Sequence, residues 1–370
     1  MKIIHYIPSI DEEDGGVSSY IKALSSELGK YIELHIATHH TKNEIQLTNC
    51  QLHFLSKSYN AISEFKELLI NIKPDAIQTN TCWRPIASFV VNIAKSLNIP
   101  VVYCSHGMLE PWILKRHHWT RKVPALLLYQ KKALKNADIL LATAESEKQN
   151  LLKLGYNNKV VVVPNCIDTN NISIRTNWGK MHVILFFSRI HEKKGINLLI
   201  EAAAKLKDKL LNYKIVIIGD GSPSYCNRLK KLSEKYKVNN IIHFMGGVYG
   251  KKKWEILKAA DVLILPTYSE NFGICIAEAL ACGTPVITTK GAPWQDLETY
   301  DCGWWTEIGT DAIAEALVSF LNCSDEKLKA MGTNGRALIE RKYSSEIVAQ
   351  MMIKLYEDAI YLKNKGLNSI

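Results

Sequence analysis

Glu270 and Glu278 stand eight positions apart in the stretch YSENFGICIAEALACGTPVI (268–287), with Asn271-Phe272-Gly273 between them and an apolar run beneath. A carboxylate is costly to bury unless it meets a partner, so two of them flanking a turn point to a polar ligand along one rigid edge. The pattern reads as a strand end (DVLILP), a loop, then a helix from about Phe272 to Cys282, stopped by Gly283 with Pro285 beyond. The amino end of such a helix carries unpaired N–H groups and partial positive charge, suited to phosphate or to a sugar's oxygens. Glu270 then falls just before that end and Glu278 about two turns inside, separated by about 12 Å of helix rise, the span of a nucleotide sugar rather than of one metal ion. The alternative makes Glu270 a helix-start residue and Glu278 part of a solvated face; the small and apolar neighbours in CIAEALA weigh against it.

Three further stretches carry comparable chemistry. In FFSRIHEKKGINLLIEAA a strand ends at Ser188 and a helix begins near Gly195, so Arg189, Lys193 and Lys194 occupy a loop at a helix start, a natural grip for a diphosphate or, blandly, a solvated basic turn. In DEEDGGVSSYIKAL, Gly15 and Gly16 follow the first strand and open a helix, letting backbone N–H groups approach an anion; the pair is not a G-x-G-x-x-G fingerprint and also suits a plain turn. In YCSHGMLEPW, His106 follows a strand with a glycine beside it, at the edge where a sheet presents ligands, although an isolated histidine is commonly structural. Gly219 in IIGDGS and Val248 in FMGGV mark glycine-containing strand ends where a base or ribose can lie near the backbone, or where the chain simply turns. Between residues 111 and 135 there are seven Lys or Arg, no acid, and Trp112, Trp119 and Tyr129, a mixture that suits an anionic membrane surface and equally a solvated face with packed aromatics.

What positions these residues is an alternation of short β-branched runs with helical patterns: KIIHYIP, ELHIAT, DAIQT, PVVYCS, DILLAT and KVVVVP, then HVILFFS, KIVIIGD, IIHFMG, DVLILP and PVITT. Continuous apolar strands separated by helices imply α/β architecture with parallel sheets buried on both faces. The pattern runs twice, and 370 residues exceed what one core usually holds. Ligands in such sheets bind beyond the carboxyl ends of the strands, where the loops above fall. The expected organisation is two doubly wound, Rossmann-like domains, 1–168 and 182–343, joined by a polar hinge near 169–181, with a final helix in 344–370.

A formal net charge of +10 and pI near 9.0 favour an anionic partner, and no recognised nucleic-acid module appears. The nine cysteines form no C-x-x-C pair and no zinc-finger spacing, which suits a reduced, cytosolic setting. MKIIHYIPSIDEED suits a first strand better than a signal peptide, and no later run approaches 18 apolar residues, so any membrane contact is expected to be peripheral.

Taken in order, E-x7-E within SENFGICIAEALACGTPVI, SRIHEKKG, the early GGV, SHGMLEPW and VVVPNCID resemble retaining glycosyltransferases of the GT-B fold, family four. The resemblance implies two Rossmann-like domains facing a cleft, a last helix crossing back to the first domain, and sugar transfer from a nucleotide diphosphate donor without a metal or other cofactor. It implies that Glu278 holds the ribose and that Glu270 faces the donor sugar, assisted by Asn271, Phe272 and Gly273. Arg189 and Lys194 would take the diphosphate, Gly15 and Gly16 would approach the phosphates, and His106 would lie near donor sugar and acceptor. GAPWQDLETYDCGWW is similar to enzymes that build bacterial O-antigen, capsule or exopolysaccharide on a lipid carrier, so the expected acceptor is a lipid-linked glycan and the expected site the inner face of the cell membrane. Glu13 replaces the lysine of the Lys-x-Gly-Gly turn in starch and glycogen synthases, which argues against a glucan synthase. A UDP-sugar is expected over a GDP-sugar. A nucleotide-sugar 2-epimerase of the same architecture and a non-catalytic nucleotide-sugar-binding protein are the alternatives.

Overall fold

A computed structural model describes residues 1–12, 15–115 and 122–366. Glu13, and the part of the basic aromatic stretch from Arg116 to Arg121 including Trp119, lie outside the described residues. The chain divides into two compact units, Met1–Cys166 with Ser344–Ile370, and Ile167–Tyr343.

The first unit holds seven parallel strands: β1 Lys2–Tyr6, β2 Glu33–His39, β3 Gln51–Leu55, β4 Ala76–Thr79, β5 Val101–Cys104, β6 Ile139–Ala142 and β7 Val160–Val162, in the order β3-β2-β1-β4-β5-β6-β7. Strand order reverses between β1 and β4, where a doubly wound sheet opens its ligand crevice. The helix Ser345–Asn364 belongs to this unit because Val348, Met352, Leu355, Tyr356 and Ala359 recur at helical spacing and bury against Tyr20, Ile21, Leu24 and Leu28 of the helix Gly16–Leu28. Ser344 caps it by accepting from the Ile347 N–H.

The second unit has six parallel strands: β8 Val183–Phe187, β9 Lys214–Ile218, β10 Ile242–Phe244, β11 Val262–Leu265, β12 Val286–Thr289 and β13 Gly303–Thr306, in the order β10-β9-β8-β11-β12-β13. Here the reversal falls between β8 and β11, so the loops after those two strands are neighbours. Residues 169–181, expected to form a hinge, are instead anchored on this unit. The Arg175 guanidinium, 6% exposed, donates to the carbonyls of Asn177 (2.8 Å) and Ala260 (2.6 Å), and its backbone N–H to Cys282 (2.9 Å). A polar composition concealed this anchoring because the guanidinium spends its donors on backbone carbonyls. The two ends of the unit also meet, Ile167 N–H donating to the Tyr343 carbonyl at 2.8 Å. The nine cysteines are free thiols.

Candidate active site

In the second unit the loops leaving β8 and β11 are fastened to each other. The Lys193 carbonyl accepts from the Tyr268 N–H (2.8 Å) and the Thr267 hydroxyl (2.9 Å). A Cβ on Gly195, whose φ is +67°, would stand 1.9 Å from the Pro266 carbonyl oxygen, so only glycine permits this approach. Across the seam Lys194 Nζ donates to Glu270 Oε2, with both side chains about one-seventh exposed. Burial opposes charge on both groups; Glu270 nevertheless holds the lysine above its ordinary range, and Lys194, Lys193 and the Asn271 N–H hold the carboxyl below its own. Arg189 is exposed, close enough to Lys194 to repel its charge. The expected basic pair is therefore unequal: Lys194 is committed to Glu270 and Arg189 faces solvent.

The helix after Glu270 runs Ile274–Ala281, starting two residues later than expected, with Gly273 as its cap at φ +84°. Glu278 is its fifth residue, just over one turn in rather than two, because Asn271–Gly273 is a turn and not helix. The solvated-face alternative for Glu278 fails: the side chain is 5% exposed and accepts from Lys253 Nζ at 2.7 Å. The turn itself is braced from behind. Glu270 N–H donates to the Gly291 carbonyl (2.7 Å), Trp294 Nε1 donates to the Phe272 carbonyl, and Phe272 packs against Trp294 and Tyr343 with ring centroids 5.3 and 5.6 Å away. Gly219 lets β9 exit close to the β8 loop, since a Cβ there would sit 1.9 Å from the Ser188 carbonyl oxygen. It also donates to the Gly246 carbonyl (2.9 Å), and the exposed Asp220 accepts from the Gly247 N–H (3.0 Å) and Tyr249 hydroxyl (2.7 Å), with partly buried Val248 between them in sequence.

In the first unit the candidate residues Gly15, Gly16 and His106 are neutral. Gly15 precedes the helix Gly16–Leu28 at φ +73°, and a Cβ there would meet open space. His106 follows β5 at φ +47°, a left-handed conformation uncommon outside glycine. Its Nε2 lies 3.1 Å from Asn80 Oδ1, and Tyr20 meets the ring edge-on at 5.5 Å. Burial lowers the imidazole pKa to about 4, so the ring is neutral at physiological pH. The backbone around it is clipped by Glu147, 2% exposed, whose carboxylate accepts from Gly107 N–H (2.6 Å), Ser105 Oγ (2.8 Å), Thr143 N–H (2.8 Å) and Thr143 Oγ1 (3.0 Å).

Asn80, Glu147 and Lys253 escaped the sequence reading because each meets a partner 25 to 42 positions away through sheet neighbours or helix packing. Trp83 was missed too. It sits just beyond β4 at φ +65°, held by its N–H to Gln130 Oε1 (3.0 Å), its indole to the Met108 carbonyl (2.8 Å) and its carbonyl from the Tyr129 hydroxyl (2.8 Å). A Pro two residues downstream was the available signal that the backbone changes course there.

Residues 168–338 match the family described as glycosyl transferases group 1, and residues 14–171 match Glycosyltransferase Family 4. An uncharacterized glycosyltransferase of Methanocaldococcus jannaschii is 27% identical over 360 residues, covering 93% of this chain and 95% of that one. The N,N'-diacetylbacillosaminyl-diphospho-undecaprenol alpha-1,3-N-acetylgalactosaminyltransferase of Campylobacter jejuni is 29% identical over 186 residues, which is 50% of this chain and 46% of that enzyme. Anabaena HepE, solved with UDP-glucose, superposes with a TM-score of 0.77 at 16% identity, covering 97% of this chain and all of that one. Two family matches that overlap only at residues 168–171, and a fold shared almost end to end, establish that the chain belongs to the group 1, family-four glycosyltransferases of the GT-B fold.

Proposed function

We propose that the protein transfers a sugar from a nucleotide diphosphate donor, UDP-linked in preference to GDP-linked, to a lipid-linked oligosaccharide of a bacterial surface polysaccharide, with retained anomeric configuration and without a metal ion. The observation that carries this reading is the pairing of Glu270 with Lys194 and of Glu278 with Lys253 around the amino end of the helix Ile274–Ala281, at the strand-order reversal of the second unit. Such a site offers acceptors for sugar and ribose hydroxyls beside cations and helix N–H groups for a diphosphate. A UDP-glucose complex of the same fold supports the donor class, and the undecaprenol-linked substrate in the Campylobacter enzyme's name supports the acceptor class.

As the bond from the anomeric carbon to the diphosphate oxygen breaks, its electron pair moves to the leaving group. Arg189, Lys194 and the helix N–H groups stabilise that growing charge. The acceptor hydroxyl forms the new bond from the same face, and its proton passes to a diphosphate oxygen. Glu270 and Glu278 hold the donor sugar and ribose, Gly15 and Gly16 let the first unit's backbone approach phosphate, and His106 accepts a sugar hydroxyl. Gly219 and Val248 flank the nucleoside.

Docking of the first unit at an anionic cytoplasmic membrane face is supported by Leu127 and Leu128, 72% and 79% exposed, with Lys131, Lys132 and Lys135 exposed beside them. Among the described residues no helix is long and apolar enough to cross a membrane.

The test is a panel of nucleotide sugars followed by NMR, with a lipid-diphosphate acceptor and with chelator. Acceptor-dependent product with the donor's anomeric configuration, undiminished by chelator, is expected. Interconversion of the donor alone would identify an epimerase, and donor binding without turnover a non-catalytic protein. Cosedimentation with anionic but not neutral vesicles, lost in Leu127→Glu/Leu128→Glu, tests the membrane contact.

A further inference from the structure

A line of hydrogen bonds runs from the C-terminal helix to His106, with the Tyr20 hydroxyl branching from it at Gln78. His5 Nε2 lies 2.7 Å from the Tyr356 hydroxyl, which donates to Gln78 Oε1 at 2.7 Å. Gln78 Nε2 donates to Asn80 Oδ1 at 2.7 Å, and that oxygen meets His106 Nε2 at 3.1 Å. His5, Gln78, Asn80 and Tyr356 are each at most 1% exposed, so none exchanges a partner with water.

We infer that Asn80 is a positioning residue that fixes the proton of His106 on Nε2 and leaves Nδ1 as a bare acceptor for a sugar hydroxyl. The reasoning is proton counting. Tyr356 has one proton and gives it to Gln78, so His5 donates into the tyrosine oxygen through its own Nε2–H. His5 Nδ1 then carries a lone pair without a hydrogen-bond partner, and the Asn80 amino group, turned away from His106, also has none. Burial, and the repulsion that protonated His5 would meet from a protonated His106, lower the His5 pKa to about 3, in keeping with a neutral ring. With its oxygen turned to Tyr356, Gln78 presents its NH2 to Asn80, which therefore presents oxygen. An amide oxygen carries no proton, so the shared hydrogen must come from His106 Nε2. A neutral imidazole holds one N–H, and Nδ1 is left as the acceptor.

This deepens the proposed role of His106 and adds a specificity. A hydroxyl satisfies the Nδ1 lone pair, whereas a carboxylate or phosphate oxygen at the same place is repelled. The ring's neighbours add no cation or anion in direct contact: Asn80 lies beyond β4, Tyr20 packs from the helix Gly16–Leu28, His5 sits on β1, and the Glu147 carboxylate is spent on the flanking Ser105 and Gly107.

The experiment uses the full chain labelled with 15N-histidine, with His106 assigned by His106→Gln. In the unsubstituted protein at neutral pH the His106 nitrogens should report the Nε2–H tautomer; the Nδ1–H tautomer would overturn the inference without any variant. Asn80→Asp keeps an acceptor and adds a charge, so it should retain that tautomer and raise the ring's titration by about a unit or more. Asn80→Ala should mix the tautomers and lower kcat about ten-fold with donor KM changed less than about three-fold. Tautomer and pH profile unchanged in both variants would sink the idea. The spectra stand apart from the transferase reading: loss of all activity with the tautomer as inferred, or full activity in His106→Gln, bears on the role of His106 in transfer and not on what Asn80 does to it.

Discussion

The candidate residues of the two units differ in their kind of polarity. In the second, Glu270–Lys194 and Glu278–Lys253 are opposite charges held against each other in poorly exposed positions. In the first, His106, Asn80, Gln78, Tyr356 and His5 form a line of neutral groups with no net charge. A sheet edge built from compensated ions suits a ligand that carries charge, because the ions exchange one partner for another as it binds. The neutral donors and acceptors around His106 suit hydroxyls, and an anion against that ring would be disfavoured.

The sharpest way to break the comparison is to uncouple the ion pair. Glu270→Ala or Lys194→Ala should lower kcat/KM about 100-fold or more, since each leaves its partner buried without compensation and, on the proposed reading, removes contact with the donor. A loss below about five-fold would mean the pair is scaffolding.

Acid separates the regions without mutation. The folded-state pKa values of His5 and His106 lie near 3 and 4, against 6.5 in an unfolded chain. Between those limits the unfolded chain binds more protons, so stability is full above about pH 6.5 and declines by several kcal/mol as pH falls toward 4. Glu270 is held below 4.5, so its contribution is present above that value and is lost only as pH falls further, through its lowered folded pKa. Melting followed by hydrogen exchange should therefore show the first unit loosening at a higher pH than the second; simultaneous loss would contradict the contrast.

Glu147→Ala leaves four donors without their acceptor and should cost about 2–4 kcal/mol by denaturant titration, with exchange protection lost first around Ser105 to Gly107. Lys253→Ala is the mildest: on the proposed role of Glu278, donor KM is expected to rise several-fold with kcat nearly unchanged, because the lysine would order a carboxylate that binds donor equally before and during transfer.

Legibility in the sequence followed the same division. The charged loops were readable because parallel strands are continuous apolar runs, and whatever follows them falls at the carboxyl edge; Arg189, Lys194, Glu270 and Glu278 needed no partner to be noticed. The neutral line was not readable. Gln78 and Asn80 look like ordinary strand-end amides, and Tyr356 lies 278 positions from the residue it bonds, with nothing in the helical spacing of its neighbours to mark a hydroxyl as more than core. Residues 169–181 misled for a related reason, since nothing in the sequence marks Arg175 as donating to carbonyls as distant as Ala260 and Cys282 rather than facing water.

The bond from Ile167 to Tyr343 gives the second unit the form of a cassette, a stretch of chain whose entrance and exit share one doorway. Such a piece can be cut out with a single short linker or none. Because Tyr343 also packs edge-on against Phe272 and at a tilt against Trp294, that doorway frames the turn before the helix Ile274–Ala281, and an excised 167–343 should keep the turn's shape. Whatever ligand that turn holds would then be portable with it.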